Sequence, residues 1–340
     1  MKSSYLKRKF DDELNNKGKI LIEGFTFYRD QILKELEPIG YDEIFNNWVE
    51  ERKRKLLNAA DEILDLFDNR ERFERLKELY KKKRLIPFIG AGLSQPSGLP
   101  LWGDFLKKVH KETDIEKKEF NQLLADGNYE EVAELLEKNE CNYLQEQLEN
   151  TFGKNFNFED LSGVVCRLPL FFPDASIITT NYDDIIKCVY EFYQKNFRNY
   201  ISGLNYSSFQ EQINNGEQVL LKLHGTYKSK YERVLTSSDY ERHYNENNHI
   251  SNCIRALFSQ SVLFLGCSLN QDRTIIKLKE IVQTNTSSLP KHYAFLSCND
   301  ISEEERKAKR RMLNDANIYT IWYEGDHDEC IEALLEKLAE

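Results

Sequence analysis

Positive charge is in short supply. Lys and Arg number 47 against 57 Asp and Glu, a formal net charge of −10. General binding to a phosphate backbone is therefore disfavoured, although a local basic patch is not excluded. Long apolar runs are also missing: no stretch approaches the roughly 20 residues needed to span a bilayer. The basic start, Lys2 to Lys9, is followed by no apolar segment, which argues against a signal peptide. Cysteines are scattered. The seven (Cys141, Cys166, Cys188, Cys253, Cys267, Cys298 and Cys330) are odd in number, and no two stand two or three residues apart. A disulfide framework and a zinc ribbon are disfavoured, and a reducing cytoplasm is the expected compartment. There is no internal repeat and no low-complexity segment. What is abundant is aromatic bulk, with 20 Phe and 18 Tyr in 340 residues. That is core material for one large domain or two smaller ones.

The first 80 or so residues read as helical. Lys17 to Leu36 carries an apolar stripe (Ile20, Ile22, Phe25, Phe27, Ile32, Leu33). Trp48 to Leu66 repeats it, and Arg72 to Tyr80 continues it, with little Gly or Pro and mixed charges on the other face. Residues 1–83 are expected as an N-terminal helical segment, either an interaction module or a cap on the main domain.

From Arg84 the texture changes. Short apolar runs alternate with helix-length stretches: Leu85 to Ile89, Ser176 to Thr180, Val219 to Leu223, Ser261 to Leu265, Tyr293 to Leu296 and Ile318 to Trp322. This spacing predicts an α/β fold, a Rossmann-like, mostly parallel sheet flanked by helices over residues 84–340. Residues 113–150 lack such a run and read as a helical insertion. Tyr231 to Asn248 reads as a loop with a short helix. Pro87, inside the first run, counts against a regular central strand unless its partner needs no N–H there.

Four polar clusters stand directly after four of these runs, where open α/β sheets bind ligands. The first is Gly90-Ala91-Gly92-Leu93-Ser94, followed by Ser97-Gly98-Leu99-Pro100. Its glycines permit either close approach to a phosphate or a merely steric turn. The third glycine of the dehydrogenase fingerprint is replaced by Gln95, and no Gly-Lys-Ser or Gly-Lys-Thr follows, which excludes a P-loop. The second is Thr179-Thr180-Asn181-Tyr182-Asp183-Asp184, a helix N-cap or a pair of polar groups, Asn181 and Asp183, for a ligand. The third is Leu223-His224-Gly225, where His224 is either structural or a base near neutral pH. The fourth is Gly266-Cys267-Ser268-Leu269-Asn270-Gln271-Asp272. Ser268, Asn270 and Asp272 would bind ribose hydroxyls or cap the next helix, and Cys267 reads as structural. A fifth group, Glu324 to Glu329, reads as a solvated loop or helix start rather than a metal site.

Taken together the clusters resemble the sirtuin-like (silent-information-regulator) superfamily: Phe88-Ile89-Gly90-Ala91-Gly92-Leu93-Ser94 with Ser97-Gly98-Leu99-Pro100, then Thr180-Asn181-Tyr182-Asp183, His224-Gly225 and Gly266-Cys267-Ser268-Leu269. The resemblance implies a cleft for NAD. Gly90, Ala91, Gly92 and Ser94 would lie along the pyrophosphate and nearby ribose. Thr180, Asn181 and Asp183 would sit by the nicotinamide ribose and carboxamide, with Gly266 and Ser268 on the adenosine side. Asn181 and His224 would be catalytic, His224 as general base. The paired CxxC zinc motifs of the protein deacylases are absent. Leu101-Trp102-Gly103 stands where Asp-Phe-Arg is expected, and Thr180 where Gln is expected. Gly266 to Asp272 and Thr236-Ser237-Ser238-Asp239-Tyr240 resemble instead the bacterial sirtuin-like NAD-cleaving effectors of antiphage defence. The implied reaction is NAD hydrolysis to nicotinamide and ADP-ribose, with NAD as substrate and no metal. The implied partners are further copies of the chain or a HerA-type DNA-translocating ATPase, with no membrane and no sequence-specific nucleic acid. The competing readings are an NAD or ADP-ribose sensor and a protein deacylase or ADP-ribosyltransferase.

Overall fold

The computed structural model describes residues 4–204, 209–245, 248–270, 273–284 and 289–340. Nine strands occur among them. β1 (Ile20–Ile22) and β2 (Phe25–Phe27) form a small antiparallel hairpin. β3 (Leu85–Ile89), β4 (Ile177–Thr179), β5 (Asn199–Ser202), β6 (Val219–Lys222), β7 (Ser261–Leu265), β8 (His292–Ser297) and β9 (Ile318–Tyr323) form one sheet in the order β5-β6-β4-β3-β7-β8-β9. Every pairing in it is parallel. The fold is thus the expected α/β, Rossmann-like parallel sheet. After β3 the chain adds β4, then the edge strand β5, returns one place to β6, and crosses back to start again at β7. The topological switch lies between β3 and β7, where such sheets open a ligand crevice.

The strands read as unbroken apolar runs because both faces are covered. Leu85 and Ile89 join one core with Leu263, Leu265 and Tyr323. Ile86 and Phe88 join the other with Val262, Phe264 and Trp322. The first face is covered by helices Asn69–Lys81, Trp102–His110, Tyr129–Phe152 and His327–Ala339, the second by His249–Leu257, Arg273–Thr284 and Glu303–Asp315. Pro87 sits in the central strand without penalty. The Gly90 N–H bonds Leu265 of β7 at 2.9 Å, so residues of even number in β3 point to β7 and Pro87 points to β4. Pairing with β4 begins one residue later, at Phe88 opposite Ile178, so no ladder N–H is missed.

Two expectations need correction. The helix anticipated over 17–36 is broken: Gly18 and Gly24 take positive φ, the hairpin β1–β2 intervenes, and helix begins only at Arg29. Ile20, Ile22, Phe25 and Phe27 alternate along the two strands rather than lining one helix face. The N-terminal segment is therefore helical with a hairpin, not all helical. β5 was not anticipated, because Asn199-Tyr200-Ile201-Ser202 is too polar to resemble a buried strand. It is an edge strand, and an edge tolerates that composition.

The helix Pro38–Leu64 packs along His327–Ala339. Between them Glu332 is fully buried, with Arg52 at 2.6 Å and Arg167 at 2.7 Å. Both cations hold the carboxylate below its usual range against the opposing effect of burial. Such a pair specifies how the helices dock more than it adds net stability.

Candidate active site

The glycine turn and the turn after β7 lock onto each other. The Gly92 N–H donates to the Gly266 carbonyl at 2.9 Å. A Cβ on Gly90 would lie 2.4 Å from that oxygen, and a Cβ on Gly266, whose φ is +66°, would lie 2.6 Å from the Leu93 nitrogen. These glycines are required by turn-on-turn packing, whatever ligand the turns also hold. Two 3-10 turns, Ala91–Leu93 and Gln95–Ser97, separate β3 from the next α-helix, which starts at Trp102. Ala91 is half-buried, and Gly90, Gly92 and Ser94 are buried.

Ser94 connects this turn to the end of β4. Its hydroxyl donates to Asp183 Oδ2 at 3.1 Å and accepts from Asn181 Nδ2 at 3.1 Å. The Asn181 backbone N–H donates to Thr179 Oγ1 at 2.9 Å, and that hydroxyl donates to the Ile89 carbonyl at 2.8 Å. The strand ends β3 and β4 are thus stitched by side chains where the ladder stops. Asp183 also accepts the Ile185 N–H at 3.1 Å, so it, and not the formal N-cap Asp184, caps the helix Ile185–Phe192. The capping reading and the site reading therefore share one residue. Burial pushes the Asp183 carboxyl up, against the hydrogen bonds and the nearby Lys222. Thr180 is half-buried beside this network.

His224 stands beyond β6. Thr179 is paired with Lys222, so Asn181 and His224 occupy equivalent places two residues past the ends of adjacent parallel strands. Nε2 of His224 is 2.6 Å from Tyr244 Oη, which is 3.1 Å from Thr274 Oγ1. Burial pushes the imidazole down to about 3, so it is neutral at physiological pH. Gly225, at φ +76°, lets the chain turn against Arg233, since a Cβ there would lie 2.0 Å from the Glu232 carbonyl. The Val234 N–H donates to the His224 carbonyl at 2.9 Å.

Of the fourth cluster, Gly266 is buried in the turn, Ser268 is exposed, and Asn270 accepts from Lys309 at 3.0 Å. Gln271 and Asp272 lie outside the described residues. Cys267 is half-buried, its Sγ 3.7 Å from the Phe88 carbonyl. In the fifth group Asp326 caps the helix His327–Ala339, and Asp328 accepts the Val164 N–H at 2.7 Å. Among the described residues no cluster of His, Cys, Asp or Glu is arranged to hold a metal ion.

Sequence reading missed Lys222, Tyr244 and Thr274. Lys222 Nζ donates to the carbonyls of Tyr182 and Asp183, each at 2.8 Å, and to Asp184 Oδ1 at 2.6 Å, pinning the loop that carries Asn181. A lysine inside the apolar run Val219 to Leu223 was the available signal. Tyr244 and Thr274 are brought to His224 only by tertiary folding.

Comparison with known proteins finds one family and several relatives. Residues 175–321 match the SIR2-like domain family. The chain is 25% identical over 279 residues to NAD(+) hydrolase ThsA of Enterococcus faecium, covering 75% of this chain and 54% of that protein. It is 24% identical over 242 residues to NAD(+) hydrolase ThsA of Cytobacillus dafuensis, covering 71% and 44%. It is also 24% identical over 216 residues to defense-associated sirtuin 2 of Bacillus subtilis, covering 61% and 20%. The chain thus spans about half the length, or less, of these curated relatives. The SIR2-like match covers the stretch that carries β4 to β8, with Asn181 and His224 past neighbouring strands and Gly266 in the turn after β7.

Proposed function

We propose that this chain cleaves NAD to nicotinamide and ADP-ribose and serves in antiphage defence. The observation that carries the reading is the equivalent placement of Asn181 and His224 past paired strands, with Asn181 tied through Ser94 to the glycine turn. The names of the relatives, NAD(+) hydrolase and defense-associated sirtuin, support it.

The chemistry suits these residues. Nicotinamide leaves from a ring that is already cationic, so no strong general acid is needed. A water oxygen bonds to the anomeric carbon of the ribose as the carbon–nitrogen bond breaks. The bonding pair stays on nicotinamide, which becomes neutral, and the surplus proton of the water goes to His224. The transition state is oxocarbenium-like. Water adding to such a centre becomes strongly acidic, so even a base weakened by burial accepts its proton. Asn181 orients the water or the ribose hydroxyls.

Assembly into a homo-oligomer, or pairing with a HerA-type ATPase, belongs to the same proposal as the means of keeping the enzyme quiet. The test is nicotinamide release by wild type, Asn181→Ala and His224→Ala, alone and with the genomic neighbour. Each substitution is expected to lower release by about 100-fold or more with far-UV circular dichroism unchanged. Undiminished release by either variant would overturn the assignment, and turnover only with an acylated peptide would point to protein modification.

A further inference from the structure

The helix Tyr129–Phe152 carries Glu130, Glu134 and Glu137, spaced four and three residues apart and so on one face. Each carboxylate reaches a different segment. Glu130 pairs with the Arg273 guanidinium, 2.8 Å from one terminal nitrogen and 3.0 Å from Nε. Glu134 accepts the Ser238 N–H at 3.1 Å and its hydroxyl at 2.9 Å. Glu137 accepts from Arg233 at 2.5 Å, while Gln145 holds the other arm of that guanidinium at 2.7 Å. Arg233 is 1% exposed.

The three segments carry the three members of the hydrogen-bonded chain at His224. Arg273 precedes Thr274. Ser238 lies in the first turn of the helix Ser237–His243, and Tyr244 is its C-cap. Arg233 precedes Val234, which holds the His224 backbone. We propose that Glu130, Glu134 and Glu137 are positioning residues: through these segments they set Tyr244 and Thr274 so that the His224 imidazole keeps its proton on Nε2 and presents Nδ1 as acceptor. The order of donors is then Nε2–H to Tyr244 Oη, and Tyr244 Oη–H to Thr274 Oγ1. The opposite tautomer would place a proton on the nitrogen that must receive one.

One helix is needed because the chain of hydroxyls crosses three segments far apart in sequence, and a shift of about 1 Å at any of them breaks a hydrogen bond. The helix is also bent at Glu140 (φ −139°, ψ 49°). Core residues lie on both sides of the bend, Val132, Ala133 and Leu136 before it and Leu144, Leu148 and Phe152 after it. Gln145, beyond the bend, shares Arg233 with Glu137, so both halves of the helix hold that segment.

The role deepens the NAD-cleaving reading and rests on His224 as its base. The test uses the full chain with histidine labelled in 15N, comparing wild type, Glu134→Ala, Glu134→Gln and Tyr244→Phe. Glu134→Ala is expected to lower kcat for nicotinamide release roughly 10-fold, with KM for NAD within about twofold. Glu134→Gln, which keeps an acceptor for Ser238, is expected within about threefold of wild type, and Tyr244→Phe should share the kcat-only loss. The ring nitrogen shifts of His224 should pass from one tautomer in wild type to a mixture in Glu134→Ala. A raised KM with unchanged kcat, a Gln variant no better than Ala, or an unmoved His224 spectrum would each overturn the role. A wild type that stays inactive with its genomic neighbour present, but whose spectrum still responds to Glu134→Ala, would support the positioning and sink the NAD-cleaving reading instead. Should Glu134→Ala not fold, Tyr244→Phe decides, because it removes one hydroxyl and keeps the ring.

Discussion

Lys222→Met removes one charge and leaves the hydrophobic stem nearly intact. The ammonium it deletes has three N–H donors and three acceptors: the Tyr182 and Asp183 carbonyls and one oxygen of Asp184. Asp184 is 43% exposed and water replaces its partner, so that pair contributes about 0–1 kcal/mol. The two carbonyls lose charge-assisted bonds in a half-buried place, at about 1–2 kcal/mol each. The expected loss is therefore about 2–5 kcal/mol, read by urea unfolding at pH 7. A second consequence is electrostatic. Lys222 opposes the effect of burial on Asp183, so its loss lets that carboxyl rise further above its ordinary value. A protonated Asp183 has fewer lone pairs for Ser94 and Ile185, and Ser94 is what holds the Asn181 amide. Nicotinamide release should fall by about 10-fold or more, beyond what unfolding explains. A stability loss under about 1 kcal/mol with normal turnover would show that the 182–184 loop is held by something other than this lysine.

Two further outcomes follow from the glycines and the histidines. Gly266→Ala puts a Cβ 2.6 Å from the Leu93 nitrogen at φ +66°, whereas Gly98→Ala, at φ +84°, meets nothing within 4 Å. The first should cost about 3 kcal/mol or more and impair ADP-ribose binding, the second only about 1 kcal/mol of backbone strain. Equal losses in calorimetry would refute the turn-on-turn contact. His224 and His292 are both held near 3 by burial, against 6.5 when unfolded. Between those values the unfolded chain binds protons that the folded one refuses, so stability falls as pH falls, by about 1.4 kcal/mol per unit for each. Asp328, raised to about 6 chiefly by burial, acts oppositely: its stabilisation is present below about 3.8 and is lost as pH rises towards 6. His224→Gln should remove one histidine's share of the slope between pH 6 and pH 4, and parallel curves for wild type and variant would contradict the burial argument.

The parallel strands were legible because burial on both faces writes an unbroken apolar run, and the clusters after them were legible because polar residues and glycines directly past a strand end are short-range features. The hairpin at Ile20–Phe27 was not, since its alternating apolar residues fit a helical stripe nearly as well, and only Gly18 and Gly24 marked the break. β5 escaped because an edge strand need not be apolar. Asp183 was legible as cap or ligand holder; it caps the helix through Ile185 and also accepts from Ser94. Tyr244, Thr274 and the row Glu130, Glu134 and Glu137 left no local signature. Glutamates four and three apart on a helix are what any solvated face shows, and their meaning comes from Arg273, Ser238 and Arg233, which lie 96 to 143 residues away.

The order of the strands also bears on the size of ligand the site accepts. The glycine turns meet where β3 adjoins β7, Asn181 follows β4, and His224 follows β6. From β7 to β6 there are three inter-strand gaps of about 4.8 Å, roughly 14 Å in all. A ligand touching both the Gly266 turn and His224 must therefore be elongated and lie across the strand ends. On the proposed NAD-cleaving reading an extended dinucleotide would meet that demand, with its phosphates at the glycine turns and its reacting sugar between Asn181 and His224. A mononucleotide engages one end only, so it would occupy the glycine turns without reaching the base, or meet the base without the anchoring that holds the anomeric carbon in line. The same spacing explains why Ser94 matters more than its single hydroxyl implies: it is the side chain that links the anchoring turn to the Asn181 amide, so a change at either end is felt at the other.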